Sequence, residues 1–222
     1  MKEMEKQDLK VKICGMRDKE NIQQLIELEP DYLGFIFYEK SARYVSEIQM
    51  QEIIKLNFGE TERVGVFVNE SVENILRFAD QGFFDVVQLH GNESPEVVKS
   101  LKAEGLEVVK VFSVDDDFEA KVLNKYADVD YFLFDTKGKL PGGNGVKFNW
   151  DVLEKSKIKK PFFLSGGLGV EDMEIVKNFK SKNLYALDFN SKLELEPGLK
   201  DVEKVKELLK PPNPPAGGEF GS

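Results

Sequence analysis

Eight short apolar runs recur along the chain, and the stretches between them are mostly patterned as helices. The runs are Val11–Met16, Tyr32–Tyr38, Val64–Val68, Val86–Gly91, Val108–Val114, Tyr131–Thr136, Phe162–Gly167 and Leu184–Asn190. Their length and their β-branched or aromatic content predict strands. Between them, Asp18–Leu28, Glu47–Leu56, the segment from Ser71, the segment from Ser94-Pro95, Phe118–Tyr126, Trp150–Lys155, Val170–Phe179 and Asp201–Leu209 carry helical spacing. Asp18 is placed to cap the first of these helices, and Pro95 suits a first helical position. Strand–helix alternation eight times over predicts a single-domain α/β fold, the (β/α)₈ barrel. An open doubly wound sheet is the alternative, but the turn after the first strand reads C-G-M-R-D and lacks a dinucleotide fingerprint.

Length agrees, since 222 residues suit one large barrel. Residues 1–10 read as a polar extension and 11–210 as the barrel. The Pro- and Gly-dense 211–222 reads as a flexible tail whose last four residues resemble a cloning scar. A net charge of −9 argues against nucleic-acid binding and leaves anion capture to local donors. No run is long and apolar enough to span a membrane, and the first ten residues lack the apolar core of a secretory signal. One cysteine permits no internal disulfide, which agrees with a cytoplasmic location.

In such a barrel the functional groups stand at the C-terminal ends of the strands. Cys14 ends the first run before Gly15, and Asp135 ends the sixth: a potential base and a potential acid on one rim. An inert buried thiol and an Asp135–Lys137 pair are the plain alternatives. Ser165–Gly169, after the seventh run, and Asp188–Ser191, after the eighth, suit a phosphate held by backbone N–H groups. Arg43 can grip a carboxylate bidentately or be a solvated charge. One histidine, His90, and one cysteine make a zinc site improbable, and no nucleophile elbow accompanies the histidine. Asp115–Asp117 reads as a solvated turn, and the glycine-rich Lys137–Gly145 as a lid.

Together these residues resemble the phosphoribosylanthranilate isomerase family of tryptophan biosynthesis. The markers are K-I-C-G (12–15), G-F-I-F-Y-x-K-S-x-R-Y (34–44), V-G-V-F-V-N (64–69), Q-L-H-G (88–91), F-D-T with P-G-G-N-G (134–145), L-S-G-G-L (164–168) and P-G-x-K-D (197–201). The resemblance implies a cofactor-free Amadori rearrangement of N-(5′-phosphoribosyl)anthranilate to 1-(2-carboxyphenylamino)-1-deoxyribulose 5-phosphate. It implies Asp135 as general acid, Cys14 as base and Arg43 on the anthranilate carboxylate. Gly166, Gly167, Asn190 and Ser191 would hold the phosphate, with His90 and Asp188 lining the site.

Two positions depart from the family pattern: Lys192 stands where glycine is frequent, and Asn149 where aspartate is. Lys192 either strengthens the phosphate site or points outward, and Asn149 serves as a helix cap. The related isomerase of histidine biosynthesis places an aspartate where Cys14 stands, and a non-catalytic phosphosugar-binding barrel is the reading from another class. The partner expected is a phosphorylated small molecule, with the chain a monomer or homodimer.

Overall fold

The computed structural model describes residues 9–115, 117–136 and 150–210. The lid segment 137–145, Lys137, Asn149, Asp116 and the tail 211–222 lie outside them. Eight parallel strands close into one barrel: β1 Lys10–Cys14, β2 Tyr32–Ile36, β3 Glu62–Phe67, β4 Val86–Leu89, β5 Glu107–Val114, β6 Tyr131–Thr136, β7 Phe162–Leu164 and β8 Leu184–Phe189. Closure is made by β1 on β8, with Lys12 abreast of Asp188, and Cys14 lies abreast of Gly34 on β2.

Local chemistry sets the helices. Helix α1 (Lys19–Ile26) is capped by Asp18, whose carboxylate accepts from Asn21 N. A reciprocal Ser46–Gln49 box opens α2 (Glu47–Ile53), Ser71 caps α3 (Val72–Asp80), and Pro95 opens α4 (Pro95–Ala103). The crossover after β5 departs from expectation: Ala120–Tyr126 is a 3₁₀ segment instead of an α-helix. Its Val122, Asn124 and Tyr126 are weak α-helix formers. The stretch after β7 is also divided, into a 3₁₀ turn (Val170–Asp172) and α6 (Met173–Asn178), while α5 covers Asp151–Lys155. A small antiparallel pair, β9 (Glu194–Glu196) and β10 (Leu199–Lys200), intervenes before α7 (Val202–Leu209) and has no counterpart in the sequence reading. Buried Asn21 holds it to α1, accepting from Lys200 N at 2.7 Å and donating to Lys200 O at 2.9 Å.

The strands also show a twofold alternation. Asp31, Asp85 and Asp130 each precede an even-numbered strand. Each carboxylate accepts a backbone N–H from the strand before: Val11 at 2.8 Å, Arg63 at 2.9 Å and Val108 at 2.7 Å. These bonds pin strand starts, so register is fixed at the end remote from the site.

The core has two compartments. Outside the sheet, Phe37 stacks on Phe67, Phe78 and Phe83 beneath the helices. Inside the barrel, Val64, Val66, Val109, Val111, Leu133, Phe163 and Ala186 fill the lumen. Tyr131 and Tyr185 stack below them, and Tyr32 meets the Tyr185 hydroxyl at 2.9 Å. Each fully buried phenylalanine contributes roughly 1.5–3 kcal/mol. The lumen is therefore a packed plug, and only its upper layer is polar.

Candidate active site

That upper layer is where the strand period of two brings inward-facing residues to the rim. A pocket of ≈ 680 Å³, open mouth included, has Cys14 on one wall and Asp135 on another. Arg43, His90, Gly167, Asp188, Asn190 and Ser191 complete it with Tyr38, Gln88 and Ser165. Eight of the nine expected residues thus share one cavity. Gly166 lies just behind it, its carbonyl 3.5 Å from Thr136 Oγ1.

Cys14 is 5% exposed. Its neighbour across the sheet must be glycine: a Cβ on Gly34 would stand 2.8 Å from the sulfur. Burial pushes the thiol upward, and the charges of Lys12 and Lys200 pull it back without cancelling the rise. The sequence leaves the thiol needing a lowered pKa to act near neutrality; burial acts in the opposite direction.

Asp135 accepts from Thr136 N at 2.8 Å and lies 3.4 Å from His90 Nε2. Gln88 Nε2 is 3.2 Å from His90 Nδ1. With the Gln88 amide donating, the imidazole proton sits on Nε2 and faces Asp135. His90 is therefore joined to the acid side of the pocket.

Asp188 faces a residue the sequence reading quoted but assigned no role. Lys12 Nζ is 2.8 Å from Asp188 Oδ1, with side chains 1% and 6% exposed. Burial opposes both charges, but Asp188 and Cys14 hold the proton on Lys12; burial still pushes the Asp188 carboxyl above its ordinary range. The signal was available, since Lys12 is a charge in an apolar run two residues from Cys14.

Arg43 has a setting that the sequence did not suggest. Its guanidinium already holds a carboxylate: Nε lies 2.8 Å from Glu194 Oε1 and Nη2 2.6 Å from Oε2. Glu194 also accepts from Lys200 Nζ at 2.8 Å and Gly198 N at 3.1 Å, and Lys200 reaches Asn190 Oδ1 at 2.8 Å. Burial would raise the Glu194 carboxyl, yet Arg43 and Lys200 hold it below its ordinary range. Burial draws Lys200 down to about 8 in spite of Glu194. Glu194 and Lys200 were not singled out as site residues; their polar hairpin carries no periodic signal.

The glycine loop has the geometry of an anion cradle. Gly166 and Gly167 adopt φ of +105° and +71°, and a Cβ on Gly166 would meet Thr136 Oγ1 at 2.2 Å. Lys192 resolves outward: its ammonium is 3.9 Å from Glu171 at the exposed rim. Among the described residues no cluster of three or more His, Cys, Asp or Glu is arranged to hold a metal ion.

A closed barrel whose strand ends gather a thiol, a carboxyl group and a glycine loop around one pocket has the architecture of the (β/α)₈ enzymes. The family model for N-(5′phosphoribosyl)anthranilate (PRA) isomerase matches residues 11–211. An isomerase of that name from Phocaeicola vulgatus is 44% identical over 200 residues, covering 90% of this chain and 95% of its own. Among solved structures, the phosphoribosylanthranilate isomerase of Thermotoga maritima superposes with a TM-score of 0.80 at 33% identity, covering 90% of this chain and 97% of that one. Another, 32% identical with a TM-score of 0.77, covers 90% of this chain and 96% of its own. It is described in complex with reduced 1-(o-carboxyphenylamino)-1-deoxyribulose 5-phosphate. The chain belongs to the phosphoribosylanthranilate isomerase family.

Proposed function

We propose that Cys14 and Asp135 are the base and the acid of the isomerase reaction this chain carries out in tryptophan biosynthesis, the Amadori rearrangement of N-(5′-phosphoribosyl)anthranilate. The observation that carries this reading is their position on strands β1 and β6, facing one pocket across the barrel. Acting as the general acid, Asp135 delivers a proton to the furanose ring oxygen, the C1′–O bond breaks, and the anthranilate nitrogen lone pair closes an iminium at C1′. The Cys14 thiolate removes the C2′ proton, and the electrons of that bond form the C1′=C2′ enolamine. The enol oxygen then loses its proton and C1′ gains one, giving the ketone. Electrons balance within the substrate, so the step calls for no oxidant or reductant.

The iminium also addresses the thiol's burial. A cation formed beside a buried sulfur favours the thiolate at the moment it is needed. Arg43, with one edge held by Glu194, offers its remaining N–H groups to the anthranilate carboxylate. Gly166, Gly167, Asn190 and Ser191 cradle the phosphate, the positive φ of both glycines supporting close backbone approach. His90 supports Asp135, and Asp188 borders the sugar.

We further propose a cytoplasmic location, a barrel unit of 11–210, a monomer or homodimer and no nucleic-acid partner. In support, no described helix is long and apolar enough to cross a membrane, and the net charge is −9.

The test follows anthranilate-derived fluorescence as freshly generated substrate is consumed, for the intact protein, Cys14→Ala and Asp135→Asn. Rapid consumption by the intact protein, reduced at least about 100-fold in each variant, is expected of an acid–base pair. Wild-type rates in either variant would remove that residue from the mechanism.

A further inference from the structure

Lys12 is hard to explain by stability. It lies on the inner face of β1, in a lumen otherwise filled by Val64, Val109, Leu133, Phe163 and Ala186. Its side chain is 1% exposed. A buried ion pair commonly breaks even or loses against apolar residues of the same volume. A methionine would fill this position without desolvating a charge. The Lys12–Asp188 bond therefore accounts for how the charge is tolerated, not for what it does.

Its surroundings supply a use. Strand alternation puts Lys12 on the same face as Cys14, two residues toward the barrel floor. The charged and titratable groups bearing on the sulfur come from five elements. Counting β1, the loop after β2, β8, β10 and the opposite wall, they are Lys12, Arg43, Asp188 and Lys200, with Asp135 and His90 on that wall bearing on Asp188. Arg43 and Lys200 are both bonded to Glu194, which takes up much of their charge. Lys12 has Asp188 beside it at 2.8 Å, and from the same inner face of β1 its charge favours the thiolate of Cys14. Thiolates are held in proteins by such neighbouring ammonium groups.

We infer that Lys12 is a positioning residue that eases proton loss from Cys14 from beneath the substrate, with Asp188 setting how much of the ammonium's charge reaches the sulfur. The inference rests on Cys14 being the base, but its test does not require turnover. Cys14 is the only cysteine, so thiolate absorbance and the pH dependence of iodoacetamide alkylation both report it alone.

Lys12→Met should move the thiol's titration midpoint upward by about one pH unit or more, a tenfold loss of thiolate at a given pH. Asp188→Asn should move it downward, because the ammonium is then shared with no carboxylate. In turnover, Lys12→Met should lower kcat about tenfold at neutral pH with little change in KM, and the loss should shrink as pH rises. A Lys12 with only a packing role would leave the midpoint of folded Lys12→Met where it is in the wild type. An unmoved midpoint in folded Lys12→Met, or shifts of the same sign in both variants, would overturn the inference. Should Lys12→Met not fold, Lys12→Gln, which keeps a hydrogen bond to Asp188 and removes the charge, decides: an upward shift supports the role, and an unmoved midpoint refutes it. Absence of turnover by the intact protein would sink the isomerase reading and leave the titrations standing.

Discussion

Replacing Glu194 by glutamine tests whether one carboxylate organises both anion-binding ends of the pocket. Glu194 is 5% exposed and accepts from Arg43 twice, from Lys200 and from Gly198. The substitution keeps the shape and removes the charge. Two losses follow, and their sizes differ for a physical reason. Lys200 is fully buried with a pKa of about 8, so at pH 7 it lies only one unit from shedding its proton. Its added penalty is therefore capped near 1.4 kcal/mol, the value of one pKa unit, beyond which it becomes neutral. Arg43 cannot neutralise, and losing a charge-assisted fork costs about 2 kcal/mol. The variant should be destabilised by about 3 kcal/mol at pH 7, a midpoint shift of roughly 1 M or more in urea. Trp150, the single tryptophan and buried, reports the transition. At pH 9 the lysine is neutral in both proteins, and the difference should shrink to about 2 kcal/mol, the arginine contribution alone. Arg43 also loses its orientation, so KM should rise several-fold with kcat less affected. A loss under roughly 0.5 kcal/mol, the range of ordinary surface changes, together with an unchanged KM would refute the reasoning.

Two further perturbations probe the same network and the glycine loop. Lys200 has its folded pKa depressed from 10.5 to about 8, so between those values the unfolded chain binds the extra proton and wild-type stability gains with rising pH. Relative to Lys200→Met, wild-type stability should therefore climb by about 3 kcal/mol across that window; parallel pH profiles would show the lysine to be unperturbed. Gly166→Ala puts a methyl 2.2 Å from Thr136 Oγ1 and 2.9 Å from Thr136 N, at a φ of +105°. A cost of about 1–3 kcal/mol and a severalfold loss of inorganic phosphate affinity, read as a smaller phosphate-induced rise in Tm, are expected. Phosphate protection equal to wild type would exclude the loop from the anion site.

Much of this was legible because a parallel barrel writes itself plainly. Strands covered on both faces become apolar runs, so a polar residue at the end of one, such as Cys14 or Asp135, stands out. What was lost follows from the same rule. Lys12 was visible in its run, but no local pattern says whether a strand lysine points into the lumen or toward helices. Glu194 lies in a hairpin with neither helical nor strand periodicity, and its partner Arg43 is 151 residues away. The expected helix at Phe118–Tyr126 is a 3₁₀ segment because apolar spacing alone does not separate three residues per turn from 3.6 over so short a stretch.

The distribution of buried charge adds a last step. Among the described residues, three lysines form ion pairs in which neither side chain exceeds 6% exposure: Lys12–Asp188, Lys110–Glu93 and Lys200–Glu194. All three sit at or just below the rim that bears the pocket. Stability does not select for such pairs, since apolar residues serve as well or better. Geometry does. Lys110 also donates to Leu89 O and Gly91 O, while Glu93 accepts from Asn69 N and Gly91 N, tying together the loops after β3 and β4 behind His90. Lys200–Glu194 backs Arg43 and Asn190, and Lys12–Asp188 underlies Cys14. Three sides of the pocket, those bearing Cys14, His90 and Arg43 with Asn190, thus have an ion pair behind them, fixing a direction that close-packed hydrocarbon alone would leave to several rotamers. In the barrel's lower half no ion pair is buried to that extent among the described residues, and Tyr131 and Tyr185 stack there.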